Sequence, residues 1–280
     1  EEELRFTPPE LQRVMRKRFG RQIELARAGE IAQATDGNIA QILLTGHLMH
    51  ADGMISRLEQ RLGDDQEMIY GYLAEEVVDK QPPELQRFLL HTAVLPGMTP
   101  ELCNELLEIS NAQAHLEELV RKDLFVTQVG AGFRYHDLFT EFLQTRLAED
   151  EAQRCQVSIR AGNLLAARDR FEEAVTLYLS VQAWDETVVL LETQGRLFYD
   201  TGRALTLNHW LAEIPEQELA QRPRLLLLQG QILNNNLGQL EPAMALFQQA
   251  EEQFLKQDDL IGAAEAQVWA AAAERAAAEA

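Results

Sequence analysis

Histidine is the residue type in this chain best suited to acid–base chemistry or metal binding near neutral pH. Zinc hydrolases place two histidines four residues apart on a helix with a glutamate between them, and no histidine pair in the sequence has that arrangement. His47 and His50 are three residues apart and could share a metal ion, but no third ligand accompanies them. We therefore predict no metal site and interpret the histidines as surface or packed side chains; they are His47, His50, His91, His115, His136 and His209.

Nucleotide hydrolysis by a Walker loop needs spaced glycines followed by Gly-Lys and then Ser or Thr, and the sequence contains no Gly-Lys pair. The paired acids Asp64-Asp65 and Asp258-Asp259 have no partnered nucleophile or base, and solvated turns explain them. Cys103 and Cys155 show neither disulfide nor metal-site spacing, which is typical of buried thiols in a reducing compartment. We expect no enzyme activity and no cofactor in this segment itself.

The charge balance of the chain is strongly acidic. The 280 residues carry a formal net charge of −20, from 45 acidic and 25 basic residues. A negative field repels phosphate backbones, so we expect no direct nucleic-acid binding by the whole chain. One basic helix face indicates either a contact with phosphates or an acidic partner domain, or only a solvated surface; it contains Arg13, Arg16, Lys17, Arg18 and Arg21.

Hydropathy and the chain ends bear on location. No apolar run approaches the roughly 18 residues that a membrane span needs, and no signal sequence opens the chain. We expect a cytoplasmic protein with no membrane contact. The chain starts without Met at Glu1 and ends in an Ala-rich stretch over 270–280, so we expect a segment of a longer protein. An engineered helix cap is the alternative for the tail.

Local start and stop signals predict three domains, at residues 1–63, 64–148 and 149–280. The first begins with a capping box from Thr7 to Glu10, and further helices are expected at 22–34 and from Ile39. The second combines several helices, a β-hairpin and a closing helix, an order that predicts a winged-helix domain. Its expected helices are 68–79, 83–95, 99–108, 111–121 and 137–147, and its strands 124–128 and 133–136.

After residue 149 the sequence shows only helices with short turns between them. Ala174 and Ala243 each lie near the start of a second helix, and their separation is close to two periods of roughly 34 residues. This pattern resembles degenerate tetratricopeptide repeats. The predicted fold class is therefore all-α with one β-hairpin wing, arranged as a helical bundle, a winged-helix domain and a TPR-like α-solenoid.

Three stretches resemble the STAND-class signal-transduction ATPases, especially MalT-like bacterial regulators of the LuxR type. Residues 4–43 are similar to the helical lid that follows the ATPase core of that family. Residues 72–103 are similar to the start of its winged helix, and residues 133–143 to its end. The resemblance implies that 1–63 is the lid, 64–148 the winged helix and 149–280 the first part of the sensor.

The resemblance also implies roles for four residues. In such proteins the histidine of a His-Asp pair contacts the β-phosphate of ADP, which implies this role for His136, with Asp137 as its positioning neighbour. A Gly-x-Pro turn of the lid touches the adenine; Gly37 matches its glycine, and Ile39 replaces its proline. ADP or ATP with Mg²⁺ is implied for the full-length parent, not for this segment.

Regulation follows from the same resemblance. It implies that the segment has the nucleotide-binding domain of its parent chain as a partner, and that an inducer or protein ligand binds the repeats. Binding would shift the population towards a state that exchanges ADP for ATP and oligomerises, in the control of transcription.

Two other functions remain open from the residues alone. One is a helical-repeat scaffold that binds a peptide or a small inducer on its concave face. The other is a winged-helix DNA-binding protein. Residues 84–148 hold five Lys or Arg against nine Asp or Glu, and a DNA-reading surface needs the opposite sign.

Overall fold

The structure, a computed structural model, describes residues 6–20, 22–34, 42, 78–122 and 124–279. Over these residues the chain forms fourteen helices and one two-stranded antiparallel sheet, which confirms the predicted class, all-α with a single β-hairpin. The described residues separate into two compact units, 1–89 with 114–145 and 90–113 with 146–280. The domain boundary predicted at residue 63 lies outside the described residues.

The first unit begins with helices α1 (Pro8–Phe19) and α2 (Leu25–Ala34). The Glu10 carboxylate accepts hydrogen bonds from the Thr7 backbone N–H at 2.9 Å and from its hydroxyl at 2.6 Å, so α1 starts where the capping signal predicts. Helix α2 starts at Leu25, three residues later than predicted. The Gln12 side chain donates to the Ile23 carbonyl at 2.8 Å, which holds the connection outside the helix.

The two helices share a small apolar core. Leu11 and Met15 of α1 and Ala28 and Ile31 of α2 are buried in it with Ile42. Burial of one face on each helix stabilises the pair, since a short isolated helix is marginal in water. The rest of the helix predicted from Ile39, and nearly all of the one predicted at 68–79, lie outside the described residues.

The next six elements in the chain are α3 (Pro83–Thr92), α4 (Pro100–Leu107), α5 (Ala112–Arg121), β1 (Val126–Val129), β2 (Gly132–Tyr135) and α6 (Asp137–Leu147). Helix α3 ends three residues before its predicted end. Leu95 precedes Pro96, and the residue before a proline is disfavoured in the helical conformation. The Leu95 backbone N–H instead donates to the Thr92 carbonyl at 3.0 Å, which closes a turn.

The hairpin is tighter than predicted. Val129 pairs with Gly132, so the connection is Gly130-Ala131 alone rather than the four residues expected. Gly130 adopts φ +59°, a left-handed conformation that glycine adopts without a steric cost. The strands pair in a register that also sets Val126 opposite Tyr135.

The second unit continues as antiparallel helices joined by short turns: α7 (Glu151–Ala166), α8 (Phe171–Ser180), α9 (Trp184–Asp200), α10 (Ala204–Glu213), α11 (Glu216–Leu219), α12 (Pro223–Asn236), α13 (Leu240–Lys256) and α14 (Leu260–Glu279). Successive helices pack on one another, as α7 on α8, α12 on α13 and α13 on α14. The apolar core runs through them and includes Phe198, Trp210 and Phe247. Trp184 and Trp269 are partly buried against it, so all three tryptophans belong to the packing.

Four glycines mark a structural period in this unit. Gly162, Gly195, Gly230 and Gly262 follow one another at intervals of 33, 35 and 32 residues. A Cβ at any of them would overlap a large side chain, namely Tyr178 at the first, Leu228 at the second, Phe247 at the third and Phe254 at the fourth. At each position the missing Cβ lets a side chain of another helix approach closely. That helix is the following one at Gly162 and Gly230, α12 at Gly195, and the preceding one at Gly262.

None of the helices that the structure describes combines the length and the apolar character needed to cross a membrane.

Candidate functional site

The His-Asp pair lies at the junction of the hairpin and helix α6, within the first unit. His136 follows the last residue of β2, and its backbone N–H donates to the Phe125 carbonyl at 2.8 Å. Its own carbonyl accepts from the Thr140 backbone N–H at 2.9 Å and from the Thr140 hydroxyl at 3.2 Å. The backbone of His136 is therefore held by the sheet on one side and by the helix on the other.

An aromatic cluster fixes the helix that follows. Phe139, which is fully buried, packs against Phe125 with ring centroids 5.3 Å apart. It also meets Tyr135 edge to face at 5.7 Å and stacks on Phe142 at 6.1 Å. Such contacts add to the burial of large apolar surfaces. The first turn of α6, and with it His136, is thus anchored to packed rings.

Phe125 has an unusual backbone at the entrance to this junction. Its φ is +55°, in the left-handed region where a bulky residue is strained by about 1–3 kcal/mol. That conformation directs the Phe125 carbonyl to the His136 N–H. The prediction of a strand over 124–128 did not single out this residue, because its apolar pattern is that of an ordinary strand start.

Asp137 is the first residue of α6, and its carboxylate lies near the helix N-terminus, where the helix dipole favours negative charge. Its side chain is exposed and lies 3.4 Å from the Arg134 guanidinium. Arg134 was not among the predicted site residues. The sequence signal for this contact is the spacing: Arg134, near the end of β2, lies three residues before Asp137.

The junction brings together the imidazole of His136, a half-buried residue, and the exposed guanidinium of Arg134. Arg134 lies two residues before His136 and three residues before Asp137 in the sequence. An imidazole donates a hydrogen bond in both its neutral and its protonated form, and a guanidinium presents several fixed donors. The arrangement suits the contact of an anion such as a phosphate.

The two other predicted contact residues, Gly37 and Ile39, lie outside the described residues. Among the described residues, no group of three or more His, Cys, Asp or Glu side chains could hold a metal ion. The candidate site that the structure presents is therefore the hairpin–helix junction around His136.

Part of the chain is similar to a known class of domain. Residues 74–155 match the family model of the MalT winged helix domain. The matched stretch includes α3 to α6 and both strands of the hairpin, with His136 and Asp137 in it. This match fits the winged helix predicted from the order of helices, hairpin and closing helix.

The curated relatives are large proteins. The chain is 28% identical over 228 residues to the serine/threonine-protein kinase PknK of Mycobacterium tuberculosis, and equally to that of Mycobacterium bovis. The similarity covers 80% of this chain and 20% of those kinases, so the chain spans about a fifth of their length. Together the two findings support a MalT-like regulatory segment of a larger signal-transduction protein.

Proposed function

We propose that this chain is the regulatory arm and partial sensor of a nucleotide-switched protein of the STAND class. In this proposal His136 contacts the β-phosphate of ADP held by the nucleotide-binding domain of the parent chain. The contact stabilises the closed state, and an inducer on the helical repeats weakens it. ATP with Mg²⁺ then replaces ADP, and the protein oligomerises to pass on a signal, in transcription control of the LuxR type.

The observation that carries the proposal is the placement of His136. Its backbone is bonded on both sides, its neighbours are packed rings, and the residue is only half-buried, with the ring nitrogen Nδ1 out of contact with solvent. A preorganised donor of this kind loses little conformational entropy when it meets a phosphate. Next to it, Asp137 and Arg134 form an exposed charged pair at 3.4 Å. Gly37 and Ile39 would contact the adenine.

The repeat period supports the sensor half of the proposal. Intervals of 32 to 35 residues between the four packed glycines are those of tetratricopeptide-like helix pairs of roughly 34 residues. Stacked pairs of this kind form extended concave surfaces that bind ligands. We propose that an inducer or a protein ligand binds there.

The test is a calorimetric titration of ADP into a chain that carries these 280 residues together with a nucleotide-binding domain. His136→Ala should weaken ADP binding by about 1–3 kcal/mol, the usual range for a hydrogen bond to a charged group. ATP binding should change less, because the closed ADP state is the one that uses the contact.

His209→Ala is the matched control, because His209 lies on α10, is exposed and pairs with Glu213 at 3.0 Å. It should leave ADP affinity unchanged. Equal ADP affinity in wild type and His136→Ala would reject the phosphate contact. The 280-residue chain alone should bind ADP negligibly, since it supplies too few contacts, and we propose that it has neither enzyme activity nor a cofactor of its own.

A helical-repeat interaction scaffold is the second candidate, favoured by a groove of about 420 Å³ between helices α9, α12 and α14. DNA binding is disfavoured by the acidic residues of α5, the helix that would have to enter a groove of the DNA duplex. Its residue Glu118 holds Lys122 in an ion pair of 2.7 Å, which lowers the pKa of the glutamate and occupies the lysine. The proposed partners are thus proteins, small inducers and the parent's own nucleotide domain, in the cytoplasm where ADP and ATP are available.

A further inference from the structure

A groove of about 420 Å³ lies within the second unit, between helices α9, α12 and α14. Its floor is formed by leucines of α9 and α12 and by Phe254 near the end of α13. Gly262 faces the Phe254 ring, and a Cβ at this glycine would overlap it. The groove is of the size that small ligands occupy in proteins.

One polar side chain lies in the apolar floor. Gln231 of α12 is 2% exposed and lines the groove, and its side-chain amide makes no hydrogen bond to any described residue. The amide is not sealed off from solvent but opens into the groove, where a ligand can supply the partner that no described residue supplies. An amide offers both donors and an acceptor, so its natural complement is another amide.

The rim carries charges of both signs. Arg224 approaches Asp259 only at 3.9 Å, while Asp259 also accepts from the Gly262 N–H at 2.9 Å as a helix cap. Glu265 of α14 makes no ion pair within 4.0 Å with any described residue, but its charge acts on Arg196, whose pKa is raised first by the Asp200 hydrogen bond and further by the charges of Asp200 and Glu265. A cation with only a long ion pair and an anion without a close one therefore line the same groove.

Other rim charges are already engaged. Arg196 pairs with Asp200 at 3.0 Å, and Glu192 lies 3.4 Å from Arg222. The groove-lining charges without a close ion pair are therefore the guanidinium of Arg224 and the carboxylate of Glu265. A ligand that carries one negative and one positive group would match both.

We propose that this groove binds a short peptide with an apolar side chain. The peptide places a backbone amide on Gln231, its apolar side chain on Phe254 and the leucines, its carboxylate at Arg224 and its amino group at Glu265. Neutral saccharides fit less well, because Phe254 is the single aromatic residue among those lining the groove. Nucleotides and phosphate fit less well, because three acids and two arginines line it.

The inference rests on the proposed sensor role and names its ligand class. Its test uses the ¹⁵N-labelled 280-residue chain and the tripeptide Ala-Leu-Ala with free ends. The side-chain NH₂ signals of Gln231, assigned by their loss in Gln231→Leu, should shift in a saturable way at millimolar peptide. Affinity in Gln231→Leu should fall about tenfold, close to the loss of one good hydrogen bond.

Gln229→Leu is the matched control, since Gln229 lies on the same helix, is half-buried and does not line the groove. It should bind the peptide as the wild type does. The same peptide with acetylated and amidated ends should bind at least fivefold more weakly, because it has no charge for the rim. The wild-type shift tests the proposal even if a variant fails to fold.

Several outcomes would overturn the inference. These are no shift of the Gln231 signals with the free peptide, equal binding by the blocked peptide, or a shift with cellobiose or inorganic phosphate in place of the peptide. None of them bears on the ADP contact of His136, which is measured separately. A negative result for peptide binding would therefore not contradict the proposed nucleotide switch, and a negative result for the ADP contact would not contradict peptide binding.

Discussion

At the scale of residues, near neighbours in sequence determine several side-chain positions. Glu10 accepts both of its hydrogen bonds from Thr7, and Thr99 accepts one from the Leu102 N–H at 3.3 Å at the start of α4. Asp150 does the same for the Gln153 N–H at 3.0 Å at the start of α7. Such caps satisfy backbone donors that a helix leaves free at its first turn.

The capping box at α1 predicts a measurable ionisation shift. The hydrogen bond from the Thr7 hydroxyl, followed by that from its backbone N–H, lowers the pKa of Glu10 below its usual value of 4.5. Thr7→Val removes the hydroxyl and should raise this pKa towards 4.5, as measured by ¹³C NMR titration of the Glu10 carboxyl. An unchanged pKa would mean that the hydroxyl bond is absent in solution.

The sign of the pH effect follows from that shift. Because the pKa of Glu10 is lower in the folded chain than in the unfolded chain, the ionised cap stabilises α1 above about pH 4.5, the usual value. This stabilisation is lost as the pH falls through the folded-state pKa. Helix α1 should therefore fray in acid earlier in Thr7→Val than in wild type.

The two cysteines should differ in reactivity. Burial, with a smaller effect of nearby Glu101, raises the pKa of Cys103 to about 12, while Cys155 is only half-buried. Since the thiolate is the reactive form, iodoacetamide at pH 8 should modify Cys155 first and Cys103 only on unfolding. Mass spectrometry of timed digests measures this order. Faster labelling of Cys103 would show that α4 opens locally.

At the scale of elements, the helix pairs of the second unit depend on the match of a small residue with a large one. Gly162 of α7 lies against the Tyr178 ring of α8, and the Tyr178 hydroxyl donates to Asn163 at 2.7 Å. Gly230 of α12 lies against Phe247 of α13 in the same way. The ring takes the space that a side chain would fill and sets the distance between the helices.

This packing predicts opposite effects for two glycine substitutions. Gly162→Ala should lower the free energy of unfolding by about 1–3 kcal/mol, because the Tyr178 ring must move and its hydrogen bond is strained. Gly29→Ala in α2 should raise it by roughly 0.4–1 kcal/mol, since a Cβ there meets no atom within 4 Å and alanine favours a helix. Urea unfolding followed by circular dichroism measures both. A stabilised Gly162→Ala would contradict the packing.

At the scale of the whole molecule, the net charge of −20 governs which partners approach. Long-range repulsion keeps polyanions away at low salt, and screening at higher salt weakens it. Cationic or bipolar partners are attracted under the same conditions. The charge thus bears on the choice between a DNA-reading winged helix and one that contacts proteins.

We therefore expect no saturable binding of a fluorescein-labelled DNA duplex at micromolar protein and 50 mM salt, measured by fluorescence anisotropy. The physical reason is that binding to a duplex requires cations that displace its counterions, and this chain has an excess of acids. Binding that weakens steeply as salt is raised would reverse this conclusion. It would point to the exposed basic residues of α1, Arg13, Arg16 and Lys17.

Much of the fold could be predicted because its signals are local. Thr7 and Thr99 are helix starts that depend on a few adjacent residues, and α6 begins and ends at the residues predicted, Asp137 and Leu147. Predicted helix boundaries were wrong where a contact from elsewhere in the chain competes with the local signal. Before α2, for example, the Gln12 side chain donates to the Ile23 carbonyl. The sequence predicts the repeat from Ala174 and Ala243. The glycine period is a clearer marker, but it could be recognised only once the structure showed which side chain packs against each glycine.

The sequence by itself determined the helical class, the hairpin before α6 and the position of His136 at their junction, because capping, turn and periodicity signals act over a few residues. Tertiary structure alone decided that Phe125 adopts a left-handed backbone and that Gln231 is buried without a partner among the described residues. The physical reason is that burial and backbone strain depend on what packs from elsewhere in the chain. Neither is encoded in the few residues on either side.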